Sequence, residues 1–130
     1  MLQYFANSKC DSVYSVGDLS FFNRANQPEG AADRCKDCKY INSCPYSAER
    51  LYVKQFVDIG SITGWPFDVV DLTRPITVDS LRRAYEGNQY GRCVFACDNN
   101  VVDNQSVDMV FENGVKVSLV MTAFTDKMGR

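Results

Sequence analysis

A chain of 130 residues can form one domain with its own hydrophobic core, and 45% hydrophobic and 23% charged residues are typical of a folded globular protein. A formal charge of −2, with no basic stretch longer than Arg82-Arg83, argues against binding to nucleic acid, and no apolar run is long enough to span a membrane. There is no histidine, which excludes the commonest general base and the commonest zinc ligand.

The first part of the chain predicts a strand followed by a long loop. Residues 13–22 are rich in β-branched and aromatic side chains, which favours a strand. Residues 23–45 are polar and carry three cysteines, so they predict a loop. A loop of this length usually has a function or is held by an additional cross-link. The segment before them, residues 1–10, has no apolar stretch typical of a signal peptide, and we therefore expect a cytoplasmic protein.

Two helices are predicted in the middle of the chain. Apolar residues at helical spacing after Pro45 predict the first, which ends near Gly60. Residues 64–75 contain prolines and predict irregular chain or a short edge strand. The second helix is predicted to begin after Thr77 as N-cap and to end at Gly87.

The last part of the chain predicts consecutive strands. Residues 93–96 favour a strand, and the alternating pattern of residues 107–111 favours another. Asn113-Gly114 predicts a tight turn into a third strand over residues 115–123. The whole order predicts an α+β fold: a mostly antiparallel open sheet with helices packed on one face, forming a single domain over residues 1–130.

The spacing Cys35-x2-Cys38-x5-Cys44 predicts a site with sulfur chemistry. Thiolates two residues apart can bind one tetrahedral metal ion from a tight turn, and zinc is the ion that such a site favours. Buried structural thiols, or a disulfide or redox pair, are the alternatives that the spacing leaves open. With no histidine, the fourth ligand must be a cysteine, a carboxylate or water, and the candidate cysteines are, in order, Cys93, Cys97 and Cys10.

Several segments together resemble the C-terminal domain of Gfo/Idh/MocA oxidoreductases, over roughly residues 4 to 128. They are Tyr90-Gly91-Arg92-Cys93-Val94-Phe95, Asp98-Asn99-Asn100-Val101-Val102-Asp103-Asn104-Gln105, Phe111-Glu112-Asn113-Gly114 and Thr122-Ala123-Phe124-Thr125. Arg34-Cys35 to Cys38, Cys44-Pro45-Tyr46-Ser47-Ala48 and Trp65-Pro66 are similar to a subgroup of the family. One departure is Asn104, where subgroup members usually carry histidine.

The resemblance implies a domain fragment of a sugar or cyclitol dehydrogenase-like enzyme. In the parent protein, an N-terminal Rossmann domain would bind NAD or NADP, and this C-terminal domain would cover the substrate and form dimer contacts through its sheet. The sequence has no Gly-x-Gly-x-x-Gly, so we expect no catalytic and no cofactor-binding residue in this chain.

The resemblance also implies a polar rim on the substrate side, formed by Asp98, Asp103 and Gln105. A solvated turn is the simpler explanation of the same residues, because Asp-Asn-Asn favours turn geometry. A different class of function stays open as well: a free-standing, cysteine-rich binding module stapled by metal. For either class we expect no nucleic-acid partner and no membrane partner.

Overall fold

The computed structural model describes residues 1–124, and contacts divide the chain into two compact units. The sheet unit contains Met1–Phe22 together with the residues from Asp98 on, and the helical unit contains Asn23–Cys97. An antiparallel open sheet and several helices confirm the α+β fold class. The packing of helices on one face of the sheet and the single domain over residues 1–130 stay predictions.

The sheet unit begins with a short helix, α1 (Leu2–Ala6), and contains three strands. These are β1 (Cys10–Asp18), β2 (Asn104–Phe111) and β3 (Lys116–Thr122), in the spatial order β1-β2-β3 with both pairs antiparallel. The predicted hairpin is confirmed at Asn113-Gly114. Gly114 has a φ of 82°, and the Asn113 side chain accepts a hydrogen bond from the Val115 N–H at 3.2 Å.

Apolar side chains occupy both faces of this sheet, because residues of one strand point alternately to opposite sides. One face of the sheet, here called the odd face, carries apolar side chains that are mostly half-buried. They are Val13, Val107, Met109, Val117, Leu119 and Met121. The opposite, even face carries Tyr14, Val16, Val110 and Val120 among polar residues. On the even face Tyr14, Val16 and Val120 are 69%, 56% and 72% exposed.

The helical unit contains three more α-helices. A π-helical turn, Glu49–Lys54, continues into α2 (Gln55–Asp58), and α3 (Phe67–Val70) and α4 (Val78–Gly87) follow. Their buried side chains form the core of this unit, with Phe56, Phe67 and Leu81 at its centre. None of the helices within residues 1–124 has the length and apolarity needed to cross a bilayer.

Helix α4 is fixed at both ends. At its start the predicted N-cap is confirmed: the Thr77 hydroxyl accepts from the Ser80 N–H, and the Ser80 hydroxyl accepts from the Thr77 N–H. At its end the Arg34 guanidinium donates to the carbonyls of Tyr85, Glu86 and Asn88 at 3.0, 2.9 and 2.7 Å. A cation at the carboxyl end of a helix satisfies carbonyls that have no partner inside the helix.

In the helical unit, three predicted elements differ from the observed ones. Residues 93–96 were expected to form a strand, but Val94–Ala96 is a 3-10 turn that buries Phe95 against Tyr46, with ring centroids 6.1 Å apart. The helix expected from Pro45 begins only at Ala48, because Cys44–Ser47 forms a turn. Residues 64–75, expected to be irregular or an edge strand, contain α3, which buries Phe67 and Val70.

Candidate functional site

The Cys35-x2-Cys38 pair lies on a tight turn of the helical unit. Cys35–Asp37 forms a 3-10 turn, and the Cys38 N–H donates to the Cys35 carbonyl at 3.2 Å. The Cys35 side chain is buried, and its sulfur accepts a hydrogen bond from the Ala48 N–H at 3.4 Å. A backbone N–H on a sulfur stabilises negative charge on it, so this turn suits a thiolate ligand.

A short backbone bridge places Cys93 next to this turn. Arg34 pairs with Arg92 in an isolated antiparallel bridge, and the Cys93 N–H donates to the Asp33 carbonyl at 2.9 Å. The chain reaches this position through the 3-10 turn Gln89–Gly91, which follows α4 directly. The motif Gly91-Arg92-Cys93 therefore delivers a fourth cysteine to a loop that lies more than 45 residues earlier in the sequence.

Cys44 completes the cluster. Two backbone hydrogen bonds hold it: its N–H donates to the Tyr40 carbonyl at 2.8 Å, and its carbonyl accepts from the Ser47 N–H at 3.2 Å. One small cavity of about 20 Å³ is lined by the four predicted cysteines, Cys35, Cys38, Cys44 and Cys93. We call this group the four-thiol cluster.

The surroundings of Cys35 favour its protonated thiol. Burial raises the pKa of the Cys35 thiol, and the nearby sulfurs of Cys93, Cys44 and Cys38 raise it further, against the opposing effect of the Ala48 N–H. A buried thiol of raised pKa is a poor nucleophile, so the geometry does not suit a reactive redox cysteine at Cys35.

The other two cysteines have different environments. Cys97 donates its thiol hydrogen to the Cys93 carbonyl at 3.3 Å, and Cys10 lies exposed on β1 in the sheet unit. All six cysteines are unbridged. Within residues 1–124, no three histidine, cysteine, aspartate or glutamate side chains form, as they stand, a group that could hold a metal ion. The predicted zinc therefore stays a prediction.

A larger cavity of about 390 Å³ lies beside the cluster in the same unit. Cys38, Cys44 and Cys93 form part of its wall, and Tyr40, Tyr46 and Phe95 contribute aromatic surface. The sequence did not indicate this cavity, because it depends on the turn at Val94–Ala96 that was predicted as a strand.

The three predicted substrate-side residues lie in the sheet unit, in three different environments. Asp98 is exposed, and Gln105 is half-buried on β2, where its amide donates to the Ser15 hydroxyl at 2.8 Å. Asp103 is only 3% exposed. A substrate-facing rim made of these three stays a prediction.

Asp103 holds the backbone at the end of β1. Its carboxylate accepts from the N–H groups of Phe21 and Phe22, both at 2.7 Å, and from the N–H of Ser20 at 3.1 Å. The Asn104 amide adds a further donor at 3.1 Å. Burial alone would raise the pKa of this carboxyl, but the N–H donors outweigh it and lower the pKa to about 2.

Asn104, the departure from the family pattern, belongs to the same network. Its side-chain amide donates to the Asp18 carboxylate at 2.6 Å and to the Ser20 hydroxyl at 2.8 Å. No sequence pattern indicates Asp18 or Ser20 as partners, because they lie more than 80 residues away from Asn104. The conformation of residues 18–22 therefore depends on hydrogen bonds with the side chains of Asp103 and Asn104.

No protein-family model matches the chain, and neither curated proteins nor solved structures yield a match. The resemblance to Gfo/Idh/MocA oxidoreductases therefore stays a prediction from the residues.

Proposed function

We propose that this chain is a fragment of a cytoplasmic NAD(P)-dependent oxidoreductase of the Gfo/Idh/MocA type, acting on a sugar or cyclitol. It would contribute the substrate side and the dimer contacts, and its own N-terminal Rossmann domain in the parent protein would bind NAD or NADP. The observation that carries the proposal is the open antiparallel sheet, in which the family-like segments Asp98–Gln105 and Phe111–Gly114 lead into and out of β2.

In such an enzyme the nicotinamide exchanges a hydride with a hydroxyl-bearing carbon of the substrate. This chain would shape the wall opposite the cofactor. The chain has no histidine, the commonest general base, and we assign proton transfer to the other domain. The hydrogen-bonded polar residues at the end of β1, held by Asp103 and Asn104, support a positioning role.

A first prediction concerns the cofactor. Isothermal titration of NADH or NADPH into the 130-residue chain should give no saturable binding in the micromolar range, because the sequence has no phosphate-binding glycine loop. The longer reading frame should contain a strand followed by Gly-x-Gly-x-x-Gly, and its product should bind the dinucleotide. Micromolar binding by the 130-residue chain, or a parent protein without a dinucleotide-binding domain, would contradict the proposal.

A second prediction concerns self-association through the even face of the sheet. Large exposed apolar patches are uncommon on monomers, and this face exposes Tyr14, Val16 and Val120. Light scattering should give a mass of twice 14.7 kDa at high protein concentration. Replacing Val16 and Val120 together with aspartate should weaken the dimer at least tenfold, roughly as for central interface residues.

Val101→Asp is the matched control for this experiment. Val101 is 65% exposed, so it resembles Val16 and Val120 in chemistry and exposure, but it lies in the segment before β2. Its replacement should leave the dimer unchanged. A monomeric mass for the unmodified chain at all concentrations would contradict association through this face.

The four-thiol cluster favours a second candidate function, a free-standing binding module stapled by metal. Small modules that lack a large core often depend on such a staple. Here the 390 Å³ cavity beside Cys38, Cys44 and Cys93 would be the binding surface. The two candidates differ in the parent reading frame, since only the oxidoreductase requires a dinucleotide-binding domain.

A further inference from the structure

The segment that carries three of the four cysteines is ordered with almost no apolar burial. Within residues 23–46, Cys35 alone is buried. The ion pair of Arg24 with Asp33 is exposed, and exposed ion pairs contribute little. Half-buried Arg34 joins the segment to the carbonyls at the end of α4. Fixing roughly twenty residues costs conformational entropy that this limited burial offsets only in part, so a further interaction would stabilise the segment.

The four-thiol cluster offers that interaction, because its members come from two turns of the loop and from the bridge that follows α4. Cys35 and Cys38 lie on one turn, Cys44 on the next, and Cys93 on the bridge that follows α4. A ligand bound by all four would join the loop to the end of α4. The small cavity between them, about 20 Å³, suits a single ion rather than an organic molecule.

We propose that Cys35, Cys38, Cys44 and Cys93 bind one structural zinc ion as a tetrahedral set of four thiolates. Four thiolates and no histidine are a known ligand set for structural zinc, with zinc–sulfur distances of about 2.3 Å. The proposal is independent of the oxidoreductase function proposed above.

The described side chains must rotate to reach that geometry, since they do not form a metal-holding group as they stand. Rotation of a cysteine from one staggered χ1 position to another moves its sulfur by about 3 Å. The four cysteines line one small cavity, so rotations of this size are of the order that the proposed site requires.

Binding replaces protons with the metal. Four thiols release four protons and bind one Zn²⁺, which leaves a site with a net charge of −2. Two N–H donors already point at its sulfurs: the Ala48 N–H at 3.4 Å from Cys35, and the Gln27 amide at 3.8 Å from Cys93. Donors of this kind stabilise ligating sulfurs. The affinity should fall with decreasing pH, because protons compete for the same thiols.

The first experiment is elemental analysis of the chain expressed with zinc in the medium and purified without chelator. We expect about one equivalent of zinc per chain. Titration of the thiols should then show four more reactive groups after zinc is removed by a chelator than before. Cobalt(II) added to the stripped protein should give the visible absorption typical of a tetrahedral tetrathiolate site, and this measurement does not depend on any variant.

Serine substitutions identify the ligands. Cys93→Ser, which removes the only ligand outside the loop, should weaken zinc binding at least about 100-fold. Cys10→Ser and Cys97→Ser are the matched controls, because Cys10 lies in the sheet unit and the Cys97 thiol is hydrogen-bonded to a carbonyl. Both should keep a full equivalent of zinc.

Three results would overturn the proposal. One is a native protein with less than about a tenth of an equivalent of zinc and no cobalt(II) absorption after stripping. Another is iron in place of zinc, since iron also accepts four thiolates. The third is zinc retained by Cys93→Ser and lost by Cys97→Ser, because Cys97 and not Cys93 would then be the fourth ligand.

Discussion

Replacing Gly91 with alanine is expected to destabilise the helical unit by about 3 kcal/mol. A Cβ atom at this position would lie 1.9 Å from the Tyr85 carbonyl oxygen and 2.9 Å from its carbon. Both are backbone atoms of α4, which its capping contacts fix, so they cannot move aside as a flexible side chain could. The turn Gln89–Gly91 would have to separate from the end of α4.

Urea unfolding followed by circular dichroism measures the effect. Gly87→Ala is the matched control, because Gly87 is the last residue of the same helix and an added Cβ there meets nothing within 4 Å. That variant should change the free energy of unfolding by less than about 1 kcal/mol, and in the stabilising direction, since alanine favours helix. Equal unfolding midpoints for the two variants would contradict the close packing of Gly91 against α4.

Gly91 also shows what the sequence could not reveal. The motif Tyr90-Gly91-Arg92-Cys93 was used for the family resemblance, but nothing in its pattern states which backbone atom Gly91 approaches. That contact holds the turn Gln89–Gly91 against the end of α4. The same limit explains the wrong strand at residues 93–96, because a run of apolar residues does not distinguish a strand from a turn that buries Phe95.

The features that were predicted correctly depend on near neighbours in the sequence. The Thr77 cap requires Ser80 three residues later, and the hairpin requires Asn113 and Gly114 side by side. Local interactions of this kind are present in the sequence itself. The predicted strand over residues 13–22 ends at Asp18 instead, because the N–H groups of Phe21 and Phe22 donate to Asp103.

The residues of the candidate site likewise include some that the sequence predicts and some that it does not. The spacing of Cys35, Cys38 and Cys44 indicated a common site. In the structure the three residues lie on adjacent turns and line one cavity. Cys93 was the first candidate for the fourth ligand, and the bridge between Arg34 and Arg92 brings it to the same cavity. The Asp103 network, by contrast, joins residues more than 80 positions apart, and alternation or spacing carries no information about it.

Replacing Asp103 with asparagine is expected to remove a pH-dependent part of the stability of the sheet unit. The lowered pKa means that the folded state favours the carboxylate, relative to an ordinary aspartate pKa of 3.8. The stabilisation is therefore complete above pH 4 and is lost as the pH falls through about 2. The unmodified chain should lose β-structure signal in this window, as far-UV circular dichroism from pH 7 downwards can measure.

At neutral pH the Asp103→Asn variant should unfold on the order of 10 °C lower than the unmodified chain, because a neutral amide is a weaker acceptor for the N–H groups of Ser20, Phe21 and Phe22. Its stability should also vary less between pH 4 and pH 2. The matched control is Asp11→Asn, which removes the same charge from an exposed position on β1 and should keep the acid transition of the unmodified chain. If Asp103→Asn and Asp11→Asn shift the acid transition equally, the loss of net charge explains the result, and Asp103 does not hold the end of β1.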